Sequence, residues 1–213
     1  MKLNSHVSRS MSDTTSVTTP PAARALLPGF MLAMALMATP LQAASVLPVG
    51  DFGNPAEKAE WTTVTDKWAK GDSTIKLDIA KVGQQSVLSV KAKLGKKFGY
   101  PFAGARRYFM EGGVPTDMSS YKGVRMRVRG NRPFALRIQS SAVADHNDFA
   151  AAVPVTRDWE VVDLPFSSFS QNLYWGKQVA WNPAQLRGVV LFFDGLPGAP
   201  ETAVDVSSIS LYK

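Results

Sequence analysis

The 213-residue chain contains no cysteine. This absence excludes disulfide bonds, zinc sites built on thiolates and a cysteine nucleophile. It also excludes the lipid-bearing cysteine of a bacterial lipoprotein. The folded part must therefore be stabilised by its apolar core alone, which a domain of about 170 residues can achieve without cross-links.

Histidine is scarce as well, and the common catalytic sequence motifs are absent. His146 is the only histidine beyond residue 43, so a zinc site lacks the usual partners. The chain has no G-x-S-x-G, H-E-x-x-H or glycine-rich phosphate motif. The run Asp145–Asp148 indicates a tight turn, with ligand contact by His146 as the alternative. Carboxylates of a glycosidase could converge from distant positions, but no pair stands out. We expect no catalytic residue, no metal and no cofactor.

No apolar run is long enough to span a bilayer. The stretch 25–38 is interrupted by a Pro-Gly pair and is shorter than the roughly 20 residues that a spanning helix needs. A basic segment precedes it and small residues follow, which is the layout of a cleavable signal peptide, so we expect cleavage after Ala43. This predicts a single mature domain, 44–213, in the periplasm or outside a bacterial cell, without a stable membrane anchor. Translation from Met11 and a mitochondrial presequence are the alternatives.

The excess of positive charge is mild. The first 43 residues hold three of the 24 basic residues and one of the 17 acidic residues, which leaves a formal charge of +5 on the remainder. Lysine and arginine are spread along the chain, whereas nucleic-acid-binding proteins usually concentrate them in patches. We therefore expect no nucleic-acid partner and interpret the charge mainly as an aid to solubility.

Alternating apolar and polar residues, bounded by turn residues, recur through most of the mature chain. Runs 73–79 and 87–94 are typical of half-buried antiparallel strands. Run 189–193 is apolar on both faces, which predicts a central strand. Short helical turns are predicted at 117–120 and at 182–186. About eight to ten short strands without a long helix predict an all-β fold, an antiparallel β-sandwich or barrel.

One predicted hairpin carries a row of arginines. Runs 124–129 and 134–139 flank Gly130 and Asn131, and each places its apolar residues on one face. The predicted pairing brings the polar residues of both strands together on the other face, namely Arg125, Arg127, Arg129, Arg137 and Gln139. Guanidinium groups bind hydroxyls or carboxylates through paired hydrogen bonds. The alternative is an ordinary solvated sheet face.

Aromatic residues accompany the basic ones in two further places. A sugar site needs directed hydrogen-bond donors and flat apolar surfaces. The segment that precedes Glu111–Gly113 offers both, in Tyr100, Arg106, Arg107 and Tyr108. Tyr174, Trp175 and Trp181 lie in a predicted surface loop and are candidate platforms for a ligand or a protein. Their alternative role is to fold back over the edge of the sandwich. Core or edge packing is predicted for Trp61, Trp68 and Trp159.

Four fragments in order resemble a known group of proteins. These are Gly99–Ala105, Asp117–Gly130, Trp159–Phe169 and Val204–Leu211. They resemble the complex I intermediate-associated protein 30 family and the family 11 carbohydrate-binding modules, and the resemblance extends from about Asp51 to Lys213. It implies a galactose-binding-like jelly roll of two antiparallel sheets, one of whose faces is concave and often binds oligosaccharide. Mitochondrial relatives in the group are instead assembly factors that bind proteins.

The resemblance also raises the question of a structural calcium ion. Members with this fold often hold one with an acidic residue just after the first Asp-Phe pair and with an aspartate of the last strand. In this chain those positions are Gly53 and Ser207. Both changes remove the charged oxygens that calcium prefers, so we expect no calcium, although Asp51 and Asp205 remain available nearby.

Three functional hypotheses follow. The first is an exported, non-catalytic module that binds an oligosaccharide or glycan on a polar and aromatic sheet face. The second is a protein-interaction or assembly factor whose loop 169–181 docks an envelope protein. The third is an enzyme without a recognisable motif.

Overall fold

The computed structural model describes residues 47–50, 52–109 and 114–213. The predicted signal peptide with its cleavage site, Asp51 and the segment Glu111–Gly113 lie outside the described residues. The elements, in chain order, are β1 (Leu47–Gly50), α1 (Glu57–Glu60), β2 (Trp61–Thr65), β3 (Thr74–Val82), β4 (Gln85–Lys93), β5 (Phe102–Tyr108), β6 (Gly123–Gly130), β7 (Phe134–Ser140), β8 (Phe149–Val153), β9 (Glu160–Pro165), β10 (Leu186–Asp194) and β11 (Thr202–Tyr212).

The strands form two antiparallel sheets. The six-stranded sheet has the order β3-β4-β11-β6-β9, and β1 pairs with β11 beside β4. The five-stranded sheet has the order β2-β5-β10-β7-β8. Apolar side chains from both sheets form one core, so the predicted all-β antiparallel sandwich is confirmed.

The inward faces follow the alternation of the sequence. Val124, Met126 and Val128 on β6 are fully buried, and so are Leu136 and Ile138 on β7. Burying each such side chain contributes about 1.5–3 kcal/mol. Alternation therefore predicts correctly which residues of these two strands face the core.

The pairing predicted for those two strands was wrong. β6 lies between β11 and β9 in the six-stranded sheet, whereas β7 lies between β10 and β8 in the five-stranded sheet. The Gly130–Asn131 segment is a crossover between the sheets, and the Asn131 side chain bonds Ala203 N at 2.8 Å and Glu201 O at 2.9 Å. Alternation specifies which side chains face the core but not which strand is the neighbour.

β10 is the central strand that its apolar sequence predicts, flanked by β5 and β7. Val189, Leu191 and Phe193 point into the shared core. Val190 and Phe192 are also buried, although they lie outside that core cluster. The second apolar face of β10 is therefore covered by side chains other than those of the opposite sheet.

Within the residues that the structure describes, helical structure is confined to single turns. The predicted turn near residue 182 is a 3₁₀ helix, Pro183–Gln185, and the Asn182 side chain accepts a hydrogen bond from Ala184 N at 3.0 Å. Residues 117–120 form a turn without helix, in which the Asp117 carboxylate accepts a bond from Ser119 N. Helix α1 and the 3₁₀ helices Asp66–Ala69 and Phe166–Ser168 were not predicted. None of the described helices is long and apolar enough to cross a membrane.

Candidate functional site

A cleft of about 730 Å³ lies on the face of the five-stranded sheet that points away from the core. Alternate residues in parts of β5, β7 and β10 face it, because side chains alternate between the two faces of a strand. Loops on either side add its walls. The residues that line it include Val64, Trp68, Tyr100, Phe102, Arg106, Arg137, Gln139, Asp145, His146, Asp148, Trp175, Val190 and Phe192.

The floor is apolar and closely packed. Phe192 lies opposite Gly104 on β5 and Ala135 on β7, so small neighbours flank its ring. A Cβ atom on Gly104 would come within 2.9 Å of Val190 Cγ1 and 3.0 Å of Val64 Cγ2. Glycine is therefore needed there for close packing, and the floor offers a flat apolar surface.

Arg137 covers part of this floor. Its guanidinium carbon lies 3.3 Å from the centroid of the Phe192 ring, and its Nη2 lies 4.0 Å from Asp194 Oδ2. The same aspartate oxygen accepts a 2.7 Å hydrogen bond from the Tyr100 hydroxyl. Burial lowers the pKa of Arg137, against the attraction of Asp194, whereas burial and the bond to Asp194 raise the pKa of Tyr100 to about 12. The Tyr100 side chain is thus a neutral hydrogen-bond donor at neutral pH.

Unused hydrogen-bonding capacity is concentrated in the cleft. Arg106 Nε, Arg137 Nε and Gln139 Oε1 are buried without a hydrogen-bond partner, and no other buried side-chain atom of the described residues is. The Gln139 amide nitrogen donates to Asp148 Oδ2 at 3.4 Å, and burial raises the pKa of the Asp148 carboxyl. A buried polar atom without a partner costs about 1–3 kcal/mol, so these three atoms make the polar side chains of the cleft less well satisfied than those of the rest of the described structure.

Trp68 forms one wall. It lies on the 3₁₀ helix after β2, is 77% exposed, and its ring centroid is 6.5 Å from that of Phe102. The fully buried Asp66 anchors this turn by accepting bonds from Ser73 N at 3.0 Å and Ser73 Oγ at 2.6 Å. The indole is therefore presented to solvent by a well-anchored turn.

The opposite wall is the Trp175 loop, residues 171–179. The buried Asn147 side chain donates to Asn172 O at 3.0 Å and Trp175 O at 2.8 Å, and accepts from Asn172 N at 3.0 Å. Gln171 reinforces the attachment, since its amide nitrogen donates to Asn147 O at 2.6 Å. These bonds hold the half-exposed Trp175 ring at the rim of the cleft.

The segment Asp145–Asp148 has the turn geometry that its residue types predict. His146 adopts a left-handed backbone with φ of 63°, and Asp145 Oδ1 accepts a bond from Asn147 N at 3.1 Å. The same turn brings the His146 side chain to the cleft. Both interpretations of this histidine, as a turn residue and as a residue near a ligand, are thus compatible with the structure.

A second cavity of about 440 Å³ adjoins the cleft. The two share Arg137, Asp148, Asn172 and Trp175. Tyr174, whose side chain is 97% exposed, lines the second cavity. The two cavities therefore extend one binding surface along the Trp175 loop.

The structure brings together most of the residues singled out from the sequence. Those that line the cleft are Tyr100, Arg106, Arg137, Gln139, His146 and Trp175. Arg107 points to the other side of β5 and bonds the buried Glu57 carboxylate at 2.7 Å. Tyr108 lies outside the cleft lining, with the Arg106 guanidinium 4.6 Å above its ring. The prediction had grouped these two residues with the cleft residues because they are adjacent in sequence.

Arg125 and Arg127 lie on the six-stranded sheet, so the predicted shared face with Arg137 and Gln139 was wrong. Arg125 bonds Asp163 at 2.6 Å, and Arg127 donates to Gln85 at 2.8 Å. Trp159 lies beneath the guanidinium carbons of Arg127 and Arg129, at 4.8 and 4.9 Å. This face is a network of mutually satisfied side chains.

The calcium site of related folds does not fit these residues. Asp205 bonds Arg129 at 2.8 Å, and Ser207 Oγ donates to the Arg127 carbonyl oxygen at 3.2 Å. Across residues 47–50, 52–109 and 114–213, no group of three or more histidine or acidic side chains could hold a metal ion. Asp51 lies outside the described residues.

The tryptophans divide in a way that local sequence did not predict. Trp61 is buried as predicted, but Trp68 lines the cleft instead of packing. Trp181 folds back against Phe149 and Phe166, with ring centroids 4.9 and 5.1 Å apart, as its alternative role required. Asp194 and Asn147 were also missed. Their roles depend on neighbours remote in sequence, whereas Phe192 was detectable from the two apolar faces of β10.

Comparisons with known proteins agree with this fold. Residues 50–192, more than half of the chain, match the family model described as complex I intermediate-associated protein 30 (CIA30). No curated protein matches the chain.

Solved structures similar to this chain include carbohydrate-binding modules. The family 11 module of the cellulosomal cellulase Lic26A-Cel5E of Clostridium thermocellum has a TM-score of 0.62 and 13% identity, over 80% of this chain and 95% of that chain. A family 11 module from Clostridium thermocellum in complex with a β-1,3-1,4-mixed-linked tetrasaccharide has a TM-score of 0.55 and 14% identity, over 72% of this chain and 88% of that chain. At such identities the likeness establishes the fold.

Proposed function

The chain belongs to the complex I intermediate-associated protein 30 family, and from its fold and its cleft we propose that it is an exported, non-catalytic glycan-binding module. The observation that carries the proposal is the cleft on the five-stranded sheet. It combines an apolar floor, exposed tryptophans on two walls and three buried polar atoms without partners.

This combination suits a sugar chain. Indole rings pack against the C–H faces of pyranose rings, and directed donors and acceptors bind the hydroxyls. Trp68 and Trp175 supply the flat surfaces, while Arg106, Arg137 and Gln139 supply hydrogen bonds. A family 11 module of similar fold was solved with a mixed-linked tetrasaccharide, which supports a sugar as the ligand class.

A binding role also suits the acidic residues of the cleft. Asp194 bonds Tyr100, and Asp145 accepts bonds from Asn147 N and Lys177 N. Asp148 bonds Gln139. Each carboxylate is thus engaged in holding the cleft together, which favours binding over hydrolysis.

The test is the affinity of the full chain for a panel of soluble polysaccharides, measured by calorimetry. We expect Trp175→Ala and Trp68→Ala to weaken binding about 3- to 10-fold each, because each removes one stacking surface. Trp159→Ala, on the other sheet, is the matched control and should bind like the wild type. Equal binding by all four proteins would refute the cleft as the site. Release of reducing sugar from the panel would instead support the enzyme hypothesis.

Export follows from the proposed signal peptide. The basic segment, the apolar stretch 25–38 and the small residues near Ala43 support it. N-terminal sequencing of the protein recovered from the periplasm or medium of the expressing cells should begin at Ala44. Recovery of the intact N-terminus from the cytoplasm alone would rule out export.

A specific observation favours protein interaction as the second candidate function. Leu173 and Tyr174, at the tip of the Trp175 loop, are 77% and 97% exposed. Exposed apolar side chains on a loop are typical of sites that dock partners. If this tip binds an envelope protein, Tyr174→Ser should abolish the pull-down of that one protein but leave glycan affinity intact. The reverse result would assign the loop to the glycan.

A further inference from the structure

The two arginines of the cleft differ from Arg125 and Arg129 of the opposite sheet in their charge partners. Arg125 and Arg129 each bond a carboxylate within 3 Å, and so does Arg107 at the back of β5. Arg106 has no ion pair among the described residues, and Arg137 reaches its nearest carboxylate only at 4.0 Å. Arg106 and Arg137 therefore line the cleft without a carboxylate within hydrogen-bonding distance of their guanidinium groups.

The sheet places these two guanidinium groups on the same surface. Val190 of β10 is the register partner of both Arg106 on β5 and Arg137 on β7. The two arginines are thus two strands apart in one row, with Cα atoms roughly 9–10 Å from each other by strand spacing. The apolar Val190 side chain between them offers no hydrogen bond to either.

The nearby acidic residues are hydrogen-bonded to groups other than these two arginines. Asp145 accepts two main-chain hydrogen bonds, at 3.1 and 2.6 Å, and Asp194 accepts the Tyr100 hydroxyl. Burial raises the pKa of Asp148, which disfavours its charged form. Arg187 adds a third cation near this end, since its guanidinium carbon is 6.0 Å from the Tyr108 ring that Arg106 also covers.

We propose that the glycan bound in this cleft is acidic, and that Arg106 and Arg137 bind its carboxylate or sulfate groups. The inference rests on the proposed glycan-binding function. A guanidinium group presents paired N–H donors that match the oxygens of either anion, and such charge-assisted bonds are stronger than those to neutral hydroxyls. Both guanidinium groups line the cleft, where such a ligand can reach their terminal nitrogens.

The test compares matched acidic and neutral polysaccharides with the full chain. The probes are polygalacturonate against its methyl ester and dextran sulfate against dextran. We expect at least one acidic probe to bind about 10-fold or more tightly than its neutral partner, because each charge-assisted bond contributes that much. Its affinity should fall as sodium chloride rises from about 0.05 M to about 0.5 M, since salt screens exposed charges. Preference for polygalacturonate identifies a uronate, and preference for dextran sulfate identifies a sulfate ester.

Variants connect that preference to the cleft. Arg106→Gln should reduce binding of the acidic probe about 10-fold and binding of neutral probes much less, because it removes the charge but keeps hydrogen-bonding groups at the site. Arg106→Lys should keep part of the affinity, because lysine retains the positive charge but lacks the paired N–H donors of the guanidinium group. Arg125→Gln, on the other sheet, is the matched control and should bind like the wild type. Arg137→Gln serves as the second variant, with its melting temperature measured to verify folding.

The outcomes separate this inference from the proposed function. Tight binding of neutral polysaccharides that depends on Trp175, without preference for acidic ones, would overturn the inference and leave the proposed function intact. Equal loss in Arg125→Gln and Arg106→Gln would also overturn it. Failure of every polysaccharide to bind would overturn both.

Discussion

Arg137 is stabilised by contacts from three directions. It stacks on Phe192, approaches Asp194 and lies one strand from Ala150 on β8. Because burial removes water from a group that remains charged, the ring and the distant carboxylate compensate only part of its lost hydration. The side chain is positioned before any ligand arrives, which reduces the entropy lost on binding.

Tyr100 gives the cleft a measurable pH dependence. Its pKa is raised from 10.0 to about 12 by burial and by the bond to Asp194. A raised pKa means that the folded state holds the proton more tightly, so this contribution to stability is present below pH 10 and is lost as pH rises from 10 to about 12. We expect the melting temperature of the wild type to fall more steeply over that range than that of Tyr100→Phe.

The control for this measurement is Tyr174→Phe, whose side chain is 97% exposed and should reproduce the wild-type curve. Absorbance titration at alkaline pH provides an independent check, since Tyr100→Phe should remove a late-titrating phenol. Identical curves for wild type and Tyr100→Phe would show that Asp194 does not hold this hydroxyl.

The limits of sequence reasoning are clearest for Trp61 and Trp68. Both are tryptophans near the same strand, and packing was predicted for both. Trp61 is 5% exposed and Trp68 is 77% exposed. The difference arises because Asp66 bonds Ser73 and turns the chain outward after β2. No local pattern marks that bond, since Ser73 lies seven residues further on.

At the level of secondary structure, the positions of the strands were predicted better than the pairing between them. Alternation located the inner and outer residues of β6 and β7, and the apolar run of β10 located the central strand. It did not reveal that β6 and β7 belong to different sheets, because each could pair with any strand of matching polarity. The composition of the cleft depends on this strand pairing, because the pairing places Arg125 and Arg127 on one sheet and Arg137 on the other.

The Trp175 loop depends on one buried amide. The Asn147 side chain makes three hydrogen bonds to main-chain atoms of the loop. We expect Asn147→Ala to cost about 1–3 kcal/mol of stability, because these main-chain groups lose their partners. The same variant should weaken glycan binding, since the loop no longer holds Trp175 at the rim.

Asn131→Ala is the matched control for the loop variant. Asn131 also bonds two main-chain groups, but at the crossover between the sheets, and it does not line the cleft. Unfolding in urea should show a comparable loss of stability in both variants, and calorimetry should show reduced glycan affinity in Asn147→Ala alone. Unchanged affinity in Asn147→Ala would mean that the loop holds its shape without this residue.

For the whole molecule, the two outer sheet faces contrast in what they leave available. On the face with Arg125, Arg127 and Arg129, Asp163 and Asp205 pair with Arg125 and Arg129, and Gln85 accepts a hydrogen bond from Arg127. The five-stranded face leaves donors and an acceptor without partners above an apolar floor. One sandwich thus carries a self-contained face and a face suited to a ligand.

The shared core supports both faces, and Leu136 is a direct test of it. Its side chain is fully buried in the core between Ala135 and Arg137, which face the cleft. We expect Leu136→Ala to lower the free energy of unfolding by about 2–5 kcal/mol, because it leaves a cavity. Leu173→Ala, at an exposed position, should change it by about 0.5 kcal/mol or less. Comparable losses in the two variants, measured in urea, would contradict the assigned core.

At this scale the resemblance in sequence predicted the fold more completely than the strand pattern alone. Alternation left sandwich and barrel open, and the ordered fragments Gly99–Ala105, Asp117–Gly130, Trp159–Phe169 and Val204–Leu211 favoured two sheets. The position of the cleft could not be derived that way. It requires the register of β5, β10 and β7, which depends on contacts distributed over the whole chain.

The most direct test of the central claim is a nuclear magnetic resonance titration of the full chain with the oligosaccharide that binds best in the panel. We predict that the largest shifts occur in the amides of β5, β7 and β10 and in the indole N–H groups of Trp68 and Trp175. The amides of β6 and β11 should stay near their unbound positions. Shifts concentrated around Arg125, Arg127 and Trp159 would contradict the account and move the binding surface to the other sheet.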